Sequence, residues 1–314
     1  MIDISIIIVN CNTRDLLRAC LQSIKTDRSA SREVLVIDNG STDGSVDMVQ
    51  QDFSDVRLIV NAVNQGFASP NNVGMREATG RYVFLLNSDT EFKPGTLKAL
   101  VTFLDEHPEA CACGPRLVYP NGTQQNSVKG FPSLWTHLCD MFLFDKMFPH
   151  SMVFGKGEMR WFDYDHDAKV DHVMAAALLV RRDALASIGL LDERFSIYYN
   201  DMDWCWRMAK LGWSVWYTPS AVVVHHLGAT IGTVNRKFER FEELYNNTML
   251  FYKKRYGAWA VPMYKILLAA GFVPRSIVWS VVSIIGRTAH AKMMCEFSFR
   301  SLLLGLRFWR PLPY

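Results

Sequence analysis

The sequence lacks both of the common nucleotide-phosphate signatures. No Gly-x-Gly-x-x-Gly follows its first apolar run, and no Gly-Lys-Ser/Thr loop occurs anywhere. These absences argue against a dinucleotide-dependent dehydrogenase and a P-loop NTPase, whose backbones cradle phosphate with those glycines. A disulfide framework is missing too. The seven cysteines are odd in number and without framework spacing, which fits a reduced, intracellular chain. Cys111-Ala-Cys113 lies in an apolar stretch, where buried inert thiols are expected rather than a metal site. Residues 4–9 are apolar but carry no basic leader and end in Asn-Cys-Asn, so a first strand is expected there, not a signal peptide. No uninterrupted apolar run reaches the roughly 20 residues that cross a bilayer. Acid, finally, is nearly absent from the C-terminal tail. From Tyr252 onward ten Lys or Arg face one acid, Glu296, a net +9; the residues before it hold 24 basic and 30 acidic groups, a net −6.

What is present supports a large folded unit. The chain has 314 residues, 49% of them apolar, enough for one big domain or a domain with an appendage. Apolar strands at residues 4–9, 33–37, 57–60 and 82–86 alternate with helical patterns. The first helix, to about Ile24, sets Leu16, Leu17, Cys20, Leu21 and Ile24 on one face; another spans residues 70–79. That alternation predicts a parallel sheet with crossover helices.

Each strand runs into a polar loop, so the loops gather at one sheet edge, where open α/β sheets hold ligands. One pocket is expected from Asn10, Asn12, Arg14, Asp38, Asn64, Gly66, Asn87, Ser88 and Asp89. Asp89, two residues beyond the Asn87 amide at the end of an uncharged strand, suits a hard divalent cation holding a diphosphate. The plainer alternative is that Asp89 and Thr90 turn the chain or cap a helix. Further on, Asp201 and Asp203 open a helix that carries Trp204 and Trp206. The helix dipole there favours ionised carboxylates, and a simple acidic first turn is the alternative.

In collinear order, Ile6-Ile-Ile-Val-Asn-Cys-Asn-Thr13, Val36-Ile-Asp-Asn-Gly-Ser-Thr-Asp-Gly-Ser45, Asn64-Gln-Gly-Phe67 and Leu85-Leu-Asn-Ser-Asp-Thr90 resemble the motifs of family 2 glycosyltransferases. The likeness covers about residues 3–257 and is nearest the bacterial rhamnosyltransferase-like branch. It implies the GT-A fold, a Rossmann-like, mostly parallel central sheet with flanking helices. It also implies a nucleotide-sugar donor and Mn²⁺ or Mg²⁺ on the donor diphosphate, held by Asp89 in the place of the Asp-x-Asp motif. Asp38 would contact the nucleotide base. Ile197-Tyr-Tyr-Asn-Asp-Met-Asp-Trp-Cys-Trp-Arg207 resembles the Glu-Asp-x-Asp-x-Cys-x-Arg motif, which makes Asp201 the base that deprotonates the acceptor. Asn200 stands where that motif has Glu, which removes a like charge and predicts a slightly weaker base. Asp203 has Arg207 one turn on, at i+4, as a partner. Asp171, Asp203 and Trp204 are the acceptor-side candidates.

Val222-Val-Val-His-His-Leu-Gly-Ala-Thr230 resembles the stretch whose His supplies a last metal ligand, with His225 the better match and His226 the alternative. An imidazole suits Mn²⁺ better than Mg²⁺. Two departures from the family bear on the ligands. Cys11 stands where an aromatic residue usually flanks the base, and Met174-Ala175 replace a small polar pair near the acceptor. A scaffold that binds nucleotide sugar without turnover, or a sugar nucleotidyltransferase, are the competing classes.

The aromatic-rich stretch 115–167, with Trp135, Phe142, Phe144, Phe148, Trp161, Phe162 and Tyr164, reads equally as packing over the sheet or as an acceptor flap. Residues 1–257 are expected to form the catalytic domain and 258–314 a basic, membrane-associating helical tail. Its apolar runs, 266–274 and 276–286, are parted by Arg275 and predict interfacial helices with apolar faces in lipid. Lys265, Arg275, Arg287, Lys292, Arg300, Arg307 and Arg310 would then face anionic headgroups. A helical bundle or homodimer interface is the alternative. The expected partners are the donor, a glycan or lipid-linked acceptor and an anionic membrane, with no nucleic acid. The expected place is peripheral, on the cytoplasmic face of the cell membrane.

Overall fold

The computed structural model describes residues 2–195, 198–226, 237–286 and 288–306. They pack as two compact units, Met1–Phe131 with Phe162–Gly232, and Pro132–Trp161 with Thr233–Tyr314.

The first unit is built on a nine-stranded mixed sheet. Strands β1 (Ile4–Asn10), β2 (Arg32–Asn39), β3 (Arg57–Asn61) and β4 (Tyr82–Asn87) lie parallel in the order β3-β2-β1-β4. Helices α1 (Arg14–Thr26), α2 (Ser45–Asp52) and α3 (Ala68–Glu77) make the crossovers. The central strands are uncharged because neighbours and helices cover them; Ile6, Ile8, Val36, Phe84 and Leu85 have no exposed surface. Gly74 lets α3 lie close to the sheet, since a Cβ there would meet Ile7 Cγ2 at 2.5 Å.

Beyond β4 the topology departs from simple alternation. After β5 (Thr90–Phe92) and α4 (Thr96–Glu106), β6 (Ala110–Val118) re-enters the sheet. Of the later elements in this unit, β7 (Val128–Lys129), β8 (Ala168–Val170), β9 (His172–Val173), β10 (Ala177–Arg181) and β11 (Ser214–His225) are strands. The order continues β4-β10-β6-β11-β5, with β10 antiparallel to both its neighbours and β8 paired to β11. A separate ribbon joins β7 to β9. The sequence pattern did not mark β5, because Asn87-Ser88-Asp89-Thr90 reads as turn; Thr90 instead begins a strand against His225.

The second unit holds α5 (Leu134–Met141), α6 (Phe144–Met147), α9 (Lys237–Tyr256), α10 (Ala260–Gly286) and α11 (Ala289–Leu306); the short α7 (Leu185–Ile188) and α8 (Asn200–Lys210) belong to the first. The two apolar runs expected as separate interfacial helices form one continuous helix of 27 residues, with Pro274 inside it. By length and composition that helix can cross a membrane. Its buried stripe of Ala260, Tyr264, Leu268, Gly271 and Phe272 recurs at helical spacing, while Ile277, Val278, Ile284 and Ile285 are exposed.

Two expected headgroup cations point elsewhere. Lys265 is buried, which pulls its ammonium pKa down, and Arg275 donates to the Met141 carbonyl at 2.7 Å, capping α5. Arg287, Arg307 and Arg310 lie outside the described residues. Nor does the packing divide at 257: α9 clusters with α10 and α11, and the Tyr245 hydroxyl donates to the Leu304 carbonyl at 2.8 Å. The aromatic stretch splits as well. Phe162 and Tyr164 pack edge-on against Tyr217 in the first unit, whereas Trp135, Phe142 and Phe148 in the second remain exposed.

Candidate active site

The carboxyl ends of β1 and β2 meet through buried side chains. The Asn10 amide donates to Asp38 Oδ2 at 2.9 Å and to Ser41 Oγ at 3.1 Å, while Asp38 Oδ1 accepts the Ser41 amide at 2.9 Å. Asp38 thereby spends one lone pair of each oxygen on shaping the loop. Asn12 adopts φ +53, a conformation Asn tolerates, and its side chain accepts the Thr42 amide at 2.8 Å. Arg14 turns to its neighbour Asp15 at 3.0 Å, and its own amide is held by Asp43. Asn39, not singled out from the sequence, organises the next loop. It donates to Asn64 Oδ1 and the Gly66 carbonyl, and accepts the Gln65 amide. Asn64 in turn donates to Cys11 Sγ at 3.3 Å, and burial pushes that thiol up.

At the end of β4, Ser88 Oγ lies 2.9 Å from Thr13 Oγ1, tying this strand end to the first loop. Asp89 is buried beside the β5–β11 pairing, where His225 is the register partner of Thr90 and the His226 amide donates to the Asp89 carbonyl. That register brings His225 Nε2 to 3.4 Å from Asp89 Oδ1. His226 turns the other way, to Glu91 at 2.8 Å. Gln125 fixes the His225 ring. Its amide nitrogen donates to the His225 carbonyl at 2.7 Å, which aims its oxygen at His225 Nδ1, 3.0 Å away. Nδ1 must then carry a proton, which turns Nε2 to the carboxylate. Over 3.4 Å, a proton or a cation between Nε2 and the carboxylate would complete the contact. Among the described residues no cluster of three or more His, Cys, Asp or Glu could hold a metal. Asp89 and His225 therefore fit a cation that takes its remaining ligands from a diphosphate and water, the usual arrangement for Mg²⁺ and Mn²⁺ at phosphates.

The second cluster is joined to the first through backbone. The Asn87 amide donates to the Ala176 carbonyl at 2.9 Å, and the adjacent Ala175 amide donates to Asp201 Oδ2 at 3.0 Å. Asp201 Oδ1 accepts the Met202 amide at 2.9 Å in the first turn of α8. His172 Nε2, from β9, stands 3.1 Å from Oδ2. Burial would raise the Asp201 carboxyl, but the His172 charge and hydrogen bond, with those two backbone amides, outweigh it and lower the pKa to about 2. Asp201 is thereby a weaker proton acceptor than an ordinary Asp, and the causes visible in the structure are His172 and the amides, where the sequence pointed to Asn200.

Residues 5–170 match the family described as Glycosyl transferase family 2. The chain belongs to glycosyl transferase family 2. Among its relatives is the N-acetylglucosaminyl-diphospho-decaprenol L-rhamnosyltransferase of Mycobacterium tuberculosis, 29% identical over 250 residues, 76% of this chain and 79% of that one. The O-antigen biosynthesis protein RfbC of Myxococcus xanthus is 29% identical over 72% of this chain but only 17% of its own length. Two solved structures share the fold at 15% identity. The mannosyltransferase PcManGT from Pyrobaculum calidifontis, in complex with GDP-Man and Mn²⁺, gives a TM-score of 0.54 over 98% of this chain and 88% of its own. GalNAc-T7 with UDP, GalNAc and Mn²⁺ gives 0.56 over 84% of this chain and 53% of its own. The fold is GT-A, and the protein is a rhamnosyltransferase-like glycosyltransferase using a nucleotide-sugar donor.

Within this glycosyltransferase, the expected donor-side residues do converge on one sheet edge. Two of the three acceptor-side candidates are fully buried. Asp203 has no exposed surface and pairs with Arg207 at 2.9 Å; Trp204 is equally buried and donates to the Gly189 carbonyl. Arg207 spans from Asp203 to the Ile188 and Leu190 carbonyls, so this trio anchors α8 to the chain before it. Asp171 is half-buried, and its carboxylate accepts the Phe131 amide at 2.9 Å. Gln125 and His172 carried no signal in the sequence beyond being polar residues near strand ends.

Proposed function

We propose that the enzyme transfers a sugar, with inversion, from a nucleotide-sugar donor to the hydroxyl of a lipid-linked cell-surface polysaccharide intermediate. The observation that carries this is the pair of clusters joined through Asn87, Ala176 and Ala175: a cation-suited Asp89–His225 pair beside an ionised Asp201. Asn10, Asp38 and the Asn39-ordered loop hold the nucleotide end of the donor. Asp89 and His225 would hold Mn²⁺ or Mg²⁺, which when bound neutralises the departing nucleoside diphosphate. Asp201 accepts the acceptor proton while the acceptor oxygen bonds to the anomeric carbon from the face opposite the leaving diphosphate. dTDP-rhamnose is the first donor to test, and a polyprenyl-diphosphate-linked sugar the first acceptor, by the names of the relatives.

A thermal-shift screen of nucleotide sugars with and without Mn²⁺ tests the donor reading. One nucleotide sugar should stabilise the chain, and more strongly with the metal. A panel that gives no shift under either condition would refute donor binding.

We also propose that the enzyme works peripherally on the cytoplasmic membrane face. Helix α10 has protein on one side and exposed Ile277, Val278, Ile284 and Ile285 elsewhere, which favours lying against lipid over crossing it. Basic residues near an anionic surface add about 1 kcal/mol each. The full-length chain should float with anionic vesicles at low salt and less so as salt rises, the apolar contribution persisting. The whole chain is the right probe, because cutting after Gly257 would strip Tyr264 from Tyr252 and Leu304 from Tyr245. Failure to float at low salt would exclude this reading.

A further inference from the structure

We propose that His172 is a positioning residue for the acceptor-side base: it stands behind Asp201, against Oδ2, and holds the carboxylate with Oδ1 turned to the acceptor proton. The inference rests on Asp201 being that base. His172 is a buried imidazole on β9, and its Nε2 lies 3.1 Å from Asp201 Oδ2. Neither ring nitrogen makes a well-aligned hydrogen bond among the described residues, so the approach to Asp201 is the polar contact the ring has there. A buried polar ring with one carboxylate neighbour is costly unless that contact repays it.

The donors around the carboxylate then fall unevenly. Oδ2 has the Ala175 amide at 3.0 Å and, beside it, the His172 ring at 3.1 Å. Oδ1 has the Met202 amide alone, at 2.9 Å, and so keeps one lone pair for a proton. Exposure agrees with this division of labour: the Asp201 side chain is 21% exposed and that of His172 5%, so the carboxylate faces out and the imidazole backs it. Two elements fix the ring. The β7–β9 ribbon pairs His172 with Lys129, and α8 packs on β9 to bring Asp201 against it. Cys205 on α8 also neighbours the carboxylate, but burial keeps its thiol protonated. Arg207, from the same helix, is engaged by Asp203. His172 is thus the charge-bearing group aimed at Asp201.

Two substitutions separate orientation from charge. His172→Phe keeps a ring but removes the donor; His172→Gln keeps a donor of similar reach without an imidazole. With the donor selected by the thermal-shift screen, read as nucleoside diphosphate release, His172→Phe should lose roughly tenfold or more in kcat, less than loss of the base itself. The donor KM should not change. The acid limb of its kcat profile should move to higher pH, because burial of Asp201 is then less opposed. His172→Gln should recover much of kcat. A wild-type kcat and pH profile in His172→Phe overturns the proposal.

A double-mutant cycle needs no substrate. Unfolding midpoints of His172→Leu, Asp201→Asn and the double variant should be non-additive, and additivity within error also overturns it. Should the Phe variant not fold, the Gln variant and this cycle still decide. Asp201→Asn assayed alongside keeps the two readings apart. Full turnover in that variant removes Asp201 as base, whereas an inactive Asp201→Asn beside a fully active His172→Phe refutes only the role of His172.

Discussion

Asp201→Asn is expected to lower sugar transfer by about 10²–10⁴-fold, the usual worth of a general base, with donor affinity little changed. Asn is nearly isosteric, and its one oxygen can keep the Met202 amide in the first turn of α8 while the Ala175 amide loses its acceptor, so the fold should survive with some loss of stability. What it cannot do is take a proton. The depressed pKa of about 2 sharpens the expectation. Asp201 stays ionised throughout the range in which the enzyme can be assayed, so its own titration should give no acid limb above about pH 4 in the wild type. The sign follows from the ionised form being the active one: activity is lost only as pH falls through the folded pKa. Steady-state transfer and donor binding on the same preparation check both halves. A variant within a few-fold of wild type would move the base elsewhere. Asp203 is a poor second, since it is fully buried and paired with Arg207. A wild type that binds donor with no turnover on any acceptor would instead favour the non-catalytic scaffold.

The parallel half of the sheet was legible in the sequence because buried strands leave uncharged runs, and parallel strands place every following loop at one edge. Asn10, Asp38, Ser88 and Asp89 therefore group together on the sequence alone. The antiparallel half was less legible for a physical reason. Strands β5, β7 and β9 have two or three residues each, too short to show a period. Yet β5 determines the metal-suited pair, because its register against β11 carries His225 to Asp89. Gln125 and His172 are equally non-local, acting on residues 100 and 29 positions away. The burial of Trp204 and Asp203 was hidden for the converse reason. Their motif spacing marks the helix, but helical periodicity turns them inward while Asp201 stays partly exposed. In the tail, composition counted charges without showing which were spent inside. Lys265 is buried and Arg275 caps α5, so the apolar surface of α10 has fewer cations than its sequence implies.

Asp89→Asn is expected to remove the Mn²⁺-dependent part of donor affinity while the protein stays folded. Asn preserves the volume of a side chain that is 1% exposed, which avoids the cavity an Ala would leave. Its amide is neutral, so the pair facing His225 no longer offers an anionic oxygen to a cation. Loss of even an outer partner of a metal ligand costs roughly 10–100-fold in metal affinity, and loss of the carboxylate itself should exceed that. Gln125→Leu supplies the graded control. It leaves Asp89 intact but frees the His225 ring from its tautomer, so the Mn²⁺-dependent shift should shrink by about the outer-partner amount without vanishing. Both variants are read by donor-induced thermal shift with and without Mn²⁺, which needs no acceptor and no turnover. Binding without metal should be similar in all three proteins, because Asn10, Asp38 and the Asn39-ordered loop are untouched. Donor binding that remains fully Mn²⁺-dependent in Asp89→Asn would place the cation on other ligands and leave the Asp89–His225 contact as an ordinary buried ion pair.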